Sequence, residues 1–402
     1  MRIAVVILNW NTEDFLRKFL PGLIDSVSRV EGAGVVVADN ASTDGSVGMV
    51  RELFPDVEML VFERNLGFTG GYNEAFRILS QSHPEMEYFL LINSDIEVGQ
   101  TWLEPLVEWM DAHPDCGACA PKLHSWQQRD MFEYAGAAGG YIDRFGYPFC
   151  RGRVMKKLER DNGQYDLPAE VFWGTGACLM VRSRLYRELG GLDPRFFAHM
   201  EEIDLCWRMH LEGYSVNVVP QSVVWHVGGG TLPNSSPGKL FLNFRNNLLM
   251  LSNNLAKTYA ANMVSGGEMA WKSVIEESLA RKIAGKAVRK ARWTIFQRMV
   301  LDGMSAMVYL MTFKWDYFKA VIRAHNDFRR LNSQADVTQV AEYLLEGGKK
   351  AKLWGIYPHW IIPRAILRPT TLSHTIRTWS TQPESDVKRA TPPSRKQQIQ
   401  QY

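Results

Sequence analysis

Three short motifs gather most of the residues able to do chemistry. They are Asp39-Asn40-Ala41-Ser42-Thr43-Asp44, Asn93-Ser94-Asp95 and His199-Met200-Glu201-Glu202-Ile203-Asp204. In the first two, an apolar run that reads as a buried strand ends on acidic residues. Ligands of open α/β sheets bind at that edge, at the carboxyl ends of the strands. The third motif sets adjacent glutamates at the start of a predicted helix. An edge that offers carboxylates to a ribose, a metal and an attacking nucleophile fits group transfer from a nucleoside-diphosphate donor.

The elements that must position these residues alternate. Strand Ile3–Leu8 leads to a helix over Glu13–Val27, then strand Val35–Asp39 and a helix over Gly45–Phe54. Strand Glu58–Phe62 runs into a glycine-rich loop, Gly67 to Gly71, and a helix to about Leu79. Strand Tyr88–Ile92 and a helix over Trp102–Ala112 complete the pattern. Such alternation predicts an α/β fold: a mixed, largely parallel sheet flanked by helices. Between Pro121 and Pro168 the pattern turns irregular, as functional loops often do. It resumes with Trp173–Val181, helices near Arg184–Leu189 and Glu201–Gly213, and strands Ser215–Val219 and Ser222–His226. One catalytic domain over residues 1–255 follows, with a basic helical extension over 256–350. The tail over 351–402 reads as irregular, and as disordered from about 382.

With 402 residues, 46% hydrophobic and 22% charged, the chain can build a large core. A net charge of +3 gives no reason to expect nucleic acid as a partner. Met1-Arg2 runs straight into a six-residue apolar strand with no signal-peptide pattern, so the cytoplasm is the expected compartment. The five cysteines sit in apolar sequence and read as reduced core residues. Arg281 to Arg298 holds seven Lys/Arg and no acid. Two readings of it stay open: a basic segment lying on the inner face of an anionic membrane, or a packed helix with a solvated basic face. No window offers the roughly 18 to 20 apolar residues of a spanning helix.

The motifs together resemble the family 2 glycosyltransferases of the GT-A fold. Six segments carry the resemblance, in the family's order: Leu8-Asn9-Trp10-Asn11, Asp39 to Ser46, Arg64-Asn65-Leu66-Gly67-Phe68 with Gly70-Gly71, Asn93-Ser94-Asp95, Glu201 to Arg208, and Trp225-His226-Val227-Gly228-Gly229-Gly230. They span Ile3 to about Asn254, and their overall wording is similar to the bacterial rhamnosyltransferase-like branch, which builds cell-surface polysaccharide. The resemblance implies an inverting, non-processive, metal-dependent transfer of sugar from a UDP- or dTDP-linked donor to a hydroxyl of a glycan or lipid-linked acceptor. Asp39 would bind the base, bordered by Asn9 and Asn11, with Arg64, Asn65, Gly67 and Gly71 letting backbone approach the donor. Asn93-Ser94-Asp95 stands where the family carries Asp-x-Asp. Asp95 would hold Mg²⁺ or Mn²⁺, and the change at Asn93 puts a charged ribose contact there in doubt. His226 would add a second metal ligand. Glu202 matches the catalytic carboxylate, here Glu for the commoner Asp, with Glu201 beside it. Trp173, Gly174 and Thr175 would line the acceptor side.

Each of these residues also has a plainer reading. Asp39 suits an Asx turn, Glu201 and Glu202 suit the positive end of a helix dipole, Trp173 suits a core, and lone histidines are usually structural. Rival functions fit less well. A dinucleotide fingerprint is missing after strand one, where Asn9-Trp10-Asn11 stands. A processive synthase would carry spanning helices and Gln-x-x-Arg-Trp, whereas Arg289 stands where the Gln should be. A non-catalytic nucleotide-sugar or glycan-binding module would have no need of Glu201, Glu202 and Asp95.

Overall fold

Strand β1 (Ile3–Asn9) sets the layering, because its side chains are buried on both faces. Ala4 and Val6 join one core with Tyr72 and Phe76, while Ile3, Val5 and Ile7 join a second with Leu16, Leu20 and Trp102. A strand covered on both sides needs such an unbroken apolar run. The computed structural model describes residues 1–134, 136–154, 157–228, 236–265, 275–332, 335–346, 353 and 355–367.

Along the chain, β1 is followed by α1 (Glu13–Val27), β2 (Ala33–Asp39), α2 (Ser46–Leu53), β3 (Glu58–Val61), α3 (Gly67–Ser82), β4 (Tyr88–Ile92), β5 (Ile96–Val98) and α4 (Glu104–Ala112). Next come β6 (Cys116–Ser125), β7 (Gly140–Asp143), β8 (Pro148–Cys150), β9 (Arg153–Val154), β10 (Lys157–Leu158), β11 (Ala169–Val171) and β12 (Cys178–Arg182). Helices α5 (Ser183–Glu188) and α6 (Glu201–Leu211) lead to β13 (Ser215–His226). The remainder is mainly helical: α7 (Pro237–Ser265), α8 (Glu277–Met311), α9 (Trp315–Leu331), α10 (Val337–Glu346), β14 (Ile356–Tyr357) and α11 (Ile361–Leu367).

The main sheet runs β11-β13-β6-β12-β4-β1-β2-β3, with β5 paired to β13. Its β4-β1-β2-β3 half is parallel, and β12 enters antiparallel between β4 and β6. The expected mixed sheet with flanking helices is therefore present. Three local expectations change. The stretch from Pro121 to Pro168 forms the end of β6 and most of a second sheet, ordered β10-β9-β8-β7-β14. Its short strands, broken by Gly139, Gly146 and Gly152 at positive φ, hide any regular period. The two strands expected over Ser215–His226 are one, with a register shift between Val218 and Val223. The boundary at residue 255 falls inside α7, which continues unbroken to Ser265. The disordered tail expected from about 382 lies outside the described residues.

Candidate active site

At the β1 and β2 ends the polar side chains bind one another. Asn9, fully buried, donates from Nδ2 to Asp39 Oδ1 at 2.7 Å and to Ser42 Oγ at 3.1 Å. Asp39 Oδ2 accepts the Ser42 N–H at 2.9 Å, the turn that its plainer reading called for. Asn11 sits at φ 53° and accepts the Thr43 N–H at 2.7 Å. A carboxylate has about four acceptor positions, so Asp39 keeps room for a ligand's N–H or hydroxyl. Thr12 ties this corner to the next motif, with its hydroxyl 2.9 Å from Ser94 Oγ.

Arg64 and Asn65 are exposed beside this corner. The glycines behind them are required by packing. Gly67 opens α3 at φ +72°, and a Cβ there would meet the Phe197 ring at 2.5 Å. A Cβ on Gly71 would meet Leu8 at 2.6 Å. The expected loop is thus the first turn of α3, pressed onto β1. Its free N–H groups are also taken, since the Phe197 carbonyl accepts from Phe68 at 2.8 Å and Thr69 at 3.2 Å. Asn40 locks the approach by donating to Asn65 Oδ1 and the Gly67 carbonyl, each at 3.0 Å, while accepting from Leu66 N–H at 2.8 Å.

Asp95 and His226 meet because β5 pairs with β13 in the register Ile96↔His226. His226 Nε2 lies 3.1 Å from Asp95 Oδ1 and 3.4 Å from Asn93 Nδ2, and Asp95 Oδ2 accepts from the Gly228 N–H at 3.1 Å. Glu133, which sequence reading missed, faces His226 Nδ1 at 3.5 Å. Burial opposes a charge on His226, but hydrogen bonds to Asp95 and Glu133 outweigh it and hold the ring up to about 10. Among the described residues no three acidic, His or Cys side chains converge on one metal position. A cation would have to displace the proton held between His226 and Asp95, since ligation needs the neutral ring; Asp95 and His226 would then make a carboxylate–imidazole pair suited to Mn²⁺. An ion that takes its other ligands from a diphosphate and water needs few from protein. Gly229 and Gly230 lie outside the described residues.

Glu201 and Glu202 open α6 on the other side of this edge. Glu201 is 4% exposed, and both carboxyl groups keep one oxygen, Oε2, without a hydrogen-bond partner. Burial and the neighbouring Glu202 charge push Glu201 well above the usual carboxylate range. Burial pushes Glu202 up to about 7, against the opposing pull of backbone groups at its own position, Ile203, Gly176 and Met200. Gly176 opens the space beside it: a Cβ there would stand 3.4 Å from Glu202 Cβ and 3.5 Å from the Phe68 ring. The next residue, Ala177, accepts the Asn93 N–H at 2.9 Å, which links this wall to the Asp95 motif.

The chain entering α6 is held in an uncommon shape. Phe197, His199 and Met200 have φ of 63°, 73° and 74°, which is costly for residues with a Cβ. Helix α7 supplies the restraint. Asn246 Nδ2 lies 2.9, 2.7 and 2.7 Å from the carbonyls of Phe196, Ala198 and His199, and Arg245 Nη2 donates to Arg195 and Phe196. Asp204 is buried between Arg208 at 2.8 Å, Asn253 at 2.9 Å and Asn254 at 2.8 Å. These α7 asparagines were invisible in a polar helical stretch read without its partner. Asn246→Ala should lower the unfolding free energy by about 1–3 kcal/mol, the cost of stranded buried carbonyls. Urea melts measure that loss. Steady-state kinetics should show a lower kcat with donor KM nearly unchanged.

Trp173, expected to cover a sugar face, is 3% exposed and donates its indole N–H to the Tyr141 carbonyl at 3.0 Å. It packs so closely on Gly140 that a Cβ there would sit 2.0 Å from the ring. It is core beneath the site. Gly174 and Thr175 are buried with it, and the Thr175 hydroxyl accepts the Ala177 N–H at 3.2 Å.

Strand ends that carry polar side chains on the parallel half are joined by a crossing strand to a helix-borne carboxylate, the arrangement expected of a GT-A fold. Residues 4–190 match the model of glycosyl transferase family 2. The chain is similar to the N-acetylglucosaminyl-diphospho-decaprenol L-rhamnosyltransferase of Mycobacterium tuberculosis, 26% identical over 237 residues that cover 56% of this chain and 75% of that one. It is also similar to rhamnosyltransferase WbbL of Escherichia coli, 20% identical over 224 residues, 54% of this chain and 80% of that one. Among solved structures it resembles GalNAc-T7 with UDP, GalNAc and Mn2+, at 18% identity and a TM-score of 0.49, covering 71% of this chain and 54% of the other.

Proposed function

We propose that this chain is a family 2 glycosyltransferase that moves a sugar, with inversion and one residue at a time, from a UDP- or dTDP-linked donor to a hydroxyl of a glycan or lipid-linked acceptor. The setting proposed is cell-surface polysaccharide synthesis, in line with the acceptor that the mycobacterial relative's name describes. Glu202 carries the reading. It is a carboxylate held to about 7, with an oxygen that no protein group satisfies, at the sheet edge where an acceptor would meet the donor. A base titrating near neutral pH balances the fraction in its basic form against proton affinity.

In this mechanism Asp39, Asn9 and Asn11 orient the base and ribose. Glu202 Oε2 takes the proton from the acceptor hydroxyl as its oxygen attacks the anomeric carbon, on the face opposite the departing diphosphate. Glu201 stays protonated, so it adds no second charge against that proton transfer. Asp95 and His226 would hold Mg²⁺ or Mn²⁺, which when bound neutralises the diphosphate as it leaves. A single base without a covalent intermediate implies one displacement. NMR of the product tests this directly, since a retained anomeric configuration would exclude it.

His226→Ala should weaken Mn²⁺ binding by roughly 10-fold or more without abolishing it, because Asp95 and the diphosphate remain as ligands. The free Mn²⁺ signal in electron paramagnetic resonance, recorded with nucleoside diphosphate present, measures this apart from turnover.

A further inference from the structure

Helix α8, 35 residues long, inverts the usual arrangement of an amphipathic helix. Its buried face is made largely of small residues, among them Ala280, Ala284, Ala287, Ala291 and Ala306. Its large apolar residues point outward. Trp293, Phe296, Val300, Met304, Met307 and Met311 recur every three or four residues and are 49% to 67% exposed. That spacing keeps them on one face for about 27 Å of helix at 1.5 Å per residue. Phe313, 79% exposed, and Trp315, 53% exposed, continue the apolar surface beyond the helix end. Toward the N-terminus the same stripe continues as Lys282, Lys286 and Arg289, all exposed. One face therefore reads cationic and then apolar. Contiguous apolar surface of this kind marks a binding face.

We propose that this face of α8 docks on an anionic lipid bilayer, with Trp293 to Met311 set among the upper acyl chains and Lys282, Lys286 and Arg289 against the headgroups. Charge complementarity selects this occupant. Between Glu277 and Asp316 the only acid is Asp302, which is fully buried and bound to Arg298 at 2.8 Å. A second copy laid on the stripe would thus offer no exposed carboxylate to its cations. In parallel the cations would face each other; in antiparallel they would face methionines. A bilayer with anionic headgroups satisfies both halves at once. No helix among the described residues is long and apolar enough to cross a membrane, so the contact lies along the surface.

The face is tied rigidly to the site. Arg298 donates to the Phe145 carbonyl at 2.8 Å and to Asn247 of α7, and Thr294 lies 2.9 Å from the Tyr259 hydroxyl of α7. Helix α7 in turn grips the chain that enters α6. Docking would therefore fix the orientation of Glu202 toward the lipid surface. Its benefit to the enzyme rests on the lipid-linked acceptor proposed above; the binding itself does not.

The test is flotation of the full chain with vesicles of phosphatidylglycerol and phosphatidylcholine, and with phosphatidylcholine alone. Wild type should float with the anionic vesicles. Phe296→Ser, Met304→Ser and Met307→Ser combined should weaken this at least roughly 30-fold at any salt concentration. Lys282→Gln, Lys286→Gln and Arg289→Gln should each weaken it about fivefold at low salt, and hardly at all at 1 M. All four variants should melt like wild type and hydrolyse donor at the wild-type rate. Loss of donor turnover in every protein would count against the glycosyltransferase reading while leaving the docking result intact. Wild type that ignores anionic vesicles, or a triple serine variant that still floats, would overturn the proposal. So would a wild-type dimer in sedimentation that the serine variant loses without any vesicle binding, since the face would then join two copies.

Discussion

Glu202→Gln should slow sugar transfer by at least about 10²-fold, the usual range for losing a general base, with donor affinity near wild type. The amide keeps the size of the carboxyl and removes its ability to take a proton. Donor binding should survive because Asp39, Asn9 and Asn11 form their own network at the β1 and β2 ends, without contact to α6. The same substitution should stabilise the fold at pH 8. A carboxyl whose titration is raised by burial from 4.5 to about 7 resists ionisation in the folded chain. Its favourable contribution is complete below about 4.5 and is lost as pH rises through about 7, so above that the ionised group burdens the fold. Relief of on the order of 3 kcal/mol follows at about 1.36 kcal/mol per pH unit. Slower turnover with a higher unfolding free energy at pH 8 separates a working base from a helix-capping acid. A Glu202→Gln enzyme with normal turnover would move the base to Glu201.

The pH profile gives an independent reading of the same pair. Wild-type kcat/KM should rise with pH and level off above about 7, as Glu202 loses its proton. Burial and the neighbouring Glu202 charge push Glu201 well above the usual carboxylate range, which favours its neutral form. Glu201→Gln, which mimics the protonated acid, should therefore leave the midpoint almost in place and cost far less activity than Glu202→Gln. Cys150 and Cys206, the other titratable groups felt by Glu202, are themselves raised by burial and carry no charge there.

The parts of this molecule that were legible in the sequence are those written in local pattern. Strand β4, Tyr88–Ile92, and helix α1, Glu13–Val27, stand where periodicity put them. Asp95 and His226, 131 residues apart in the chain, were expected at one metal site from the resemblance alone, and the β5–β13 register brings them to 3.1 Å. What stayed hidden depends on contacts between distant segments. Glu133 meets His226 because its N–H donates to the Leu123 carbonyl of β6, the strand beside β13, from a stretch that read as irregular. Asn246 looks like any polar helix residue until the carbonyls of Phe196, Ala198 and His199 are placed beside it. Gly67 and Gly71 were ambiguous for a related reason. A glycine signals close approach, but not whether a ligand or the protein's own Phe197 and Leu8 makes it. The α8 stripe was half visible: the cations and the apolar run from Met299 to Phe313 could be read, while the exposure of the large residues appeared only once the alanine face was seen to be buried.

Asp95→Ala should lower turnover by roughly 10²–10³-fold, the usual cost of losing a principal electrostatic contact to developing charge. Wild-type activity in excess EDTA should fall comparably. Asp95 is 6% exposed, at the turn between β4 and β5, and faces His226 Nε2 with one oxygen and the Gly228 N–H with the other. It is the carboxylate of the metal-site motif that Asn93 leaves charged. Removing it also strands a buried imidazole, so lost activity in the alanine variant alone could reflect disorder. Asp95→Asn resolves this, because it keeps the shape and an acceptor for Gly228 while removing the negative charge. Its melting curve should stay near wild type. Its Mn²⁺ binding, measured by electron paramagnetic resonance with nucleoside diphosphate present, should weaken by about 10²-fold at the least. Asn93→Asp is the complementary change: a second carboxylate at the same turn should tighten Mn²⁺ binding. Full turnover in EDTA, or an Asp95→Asn enzyme that binds Mn²⁺ as wild type does, would show that Asp95 serves His226 and the β5–β13 turn rather than a metal.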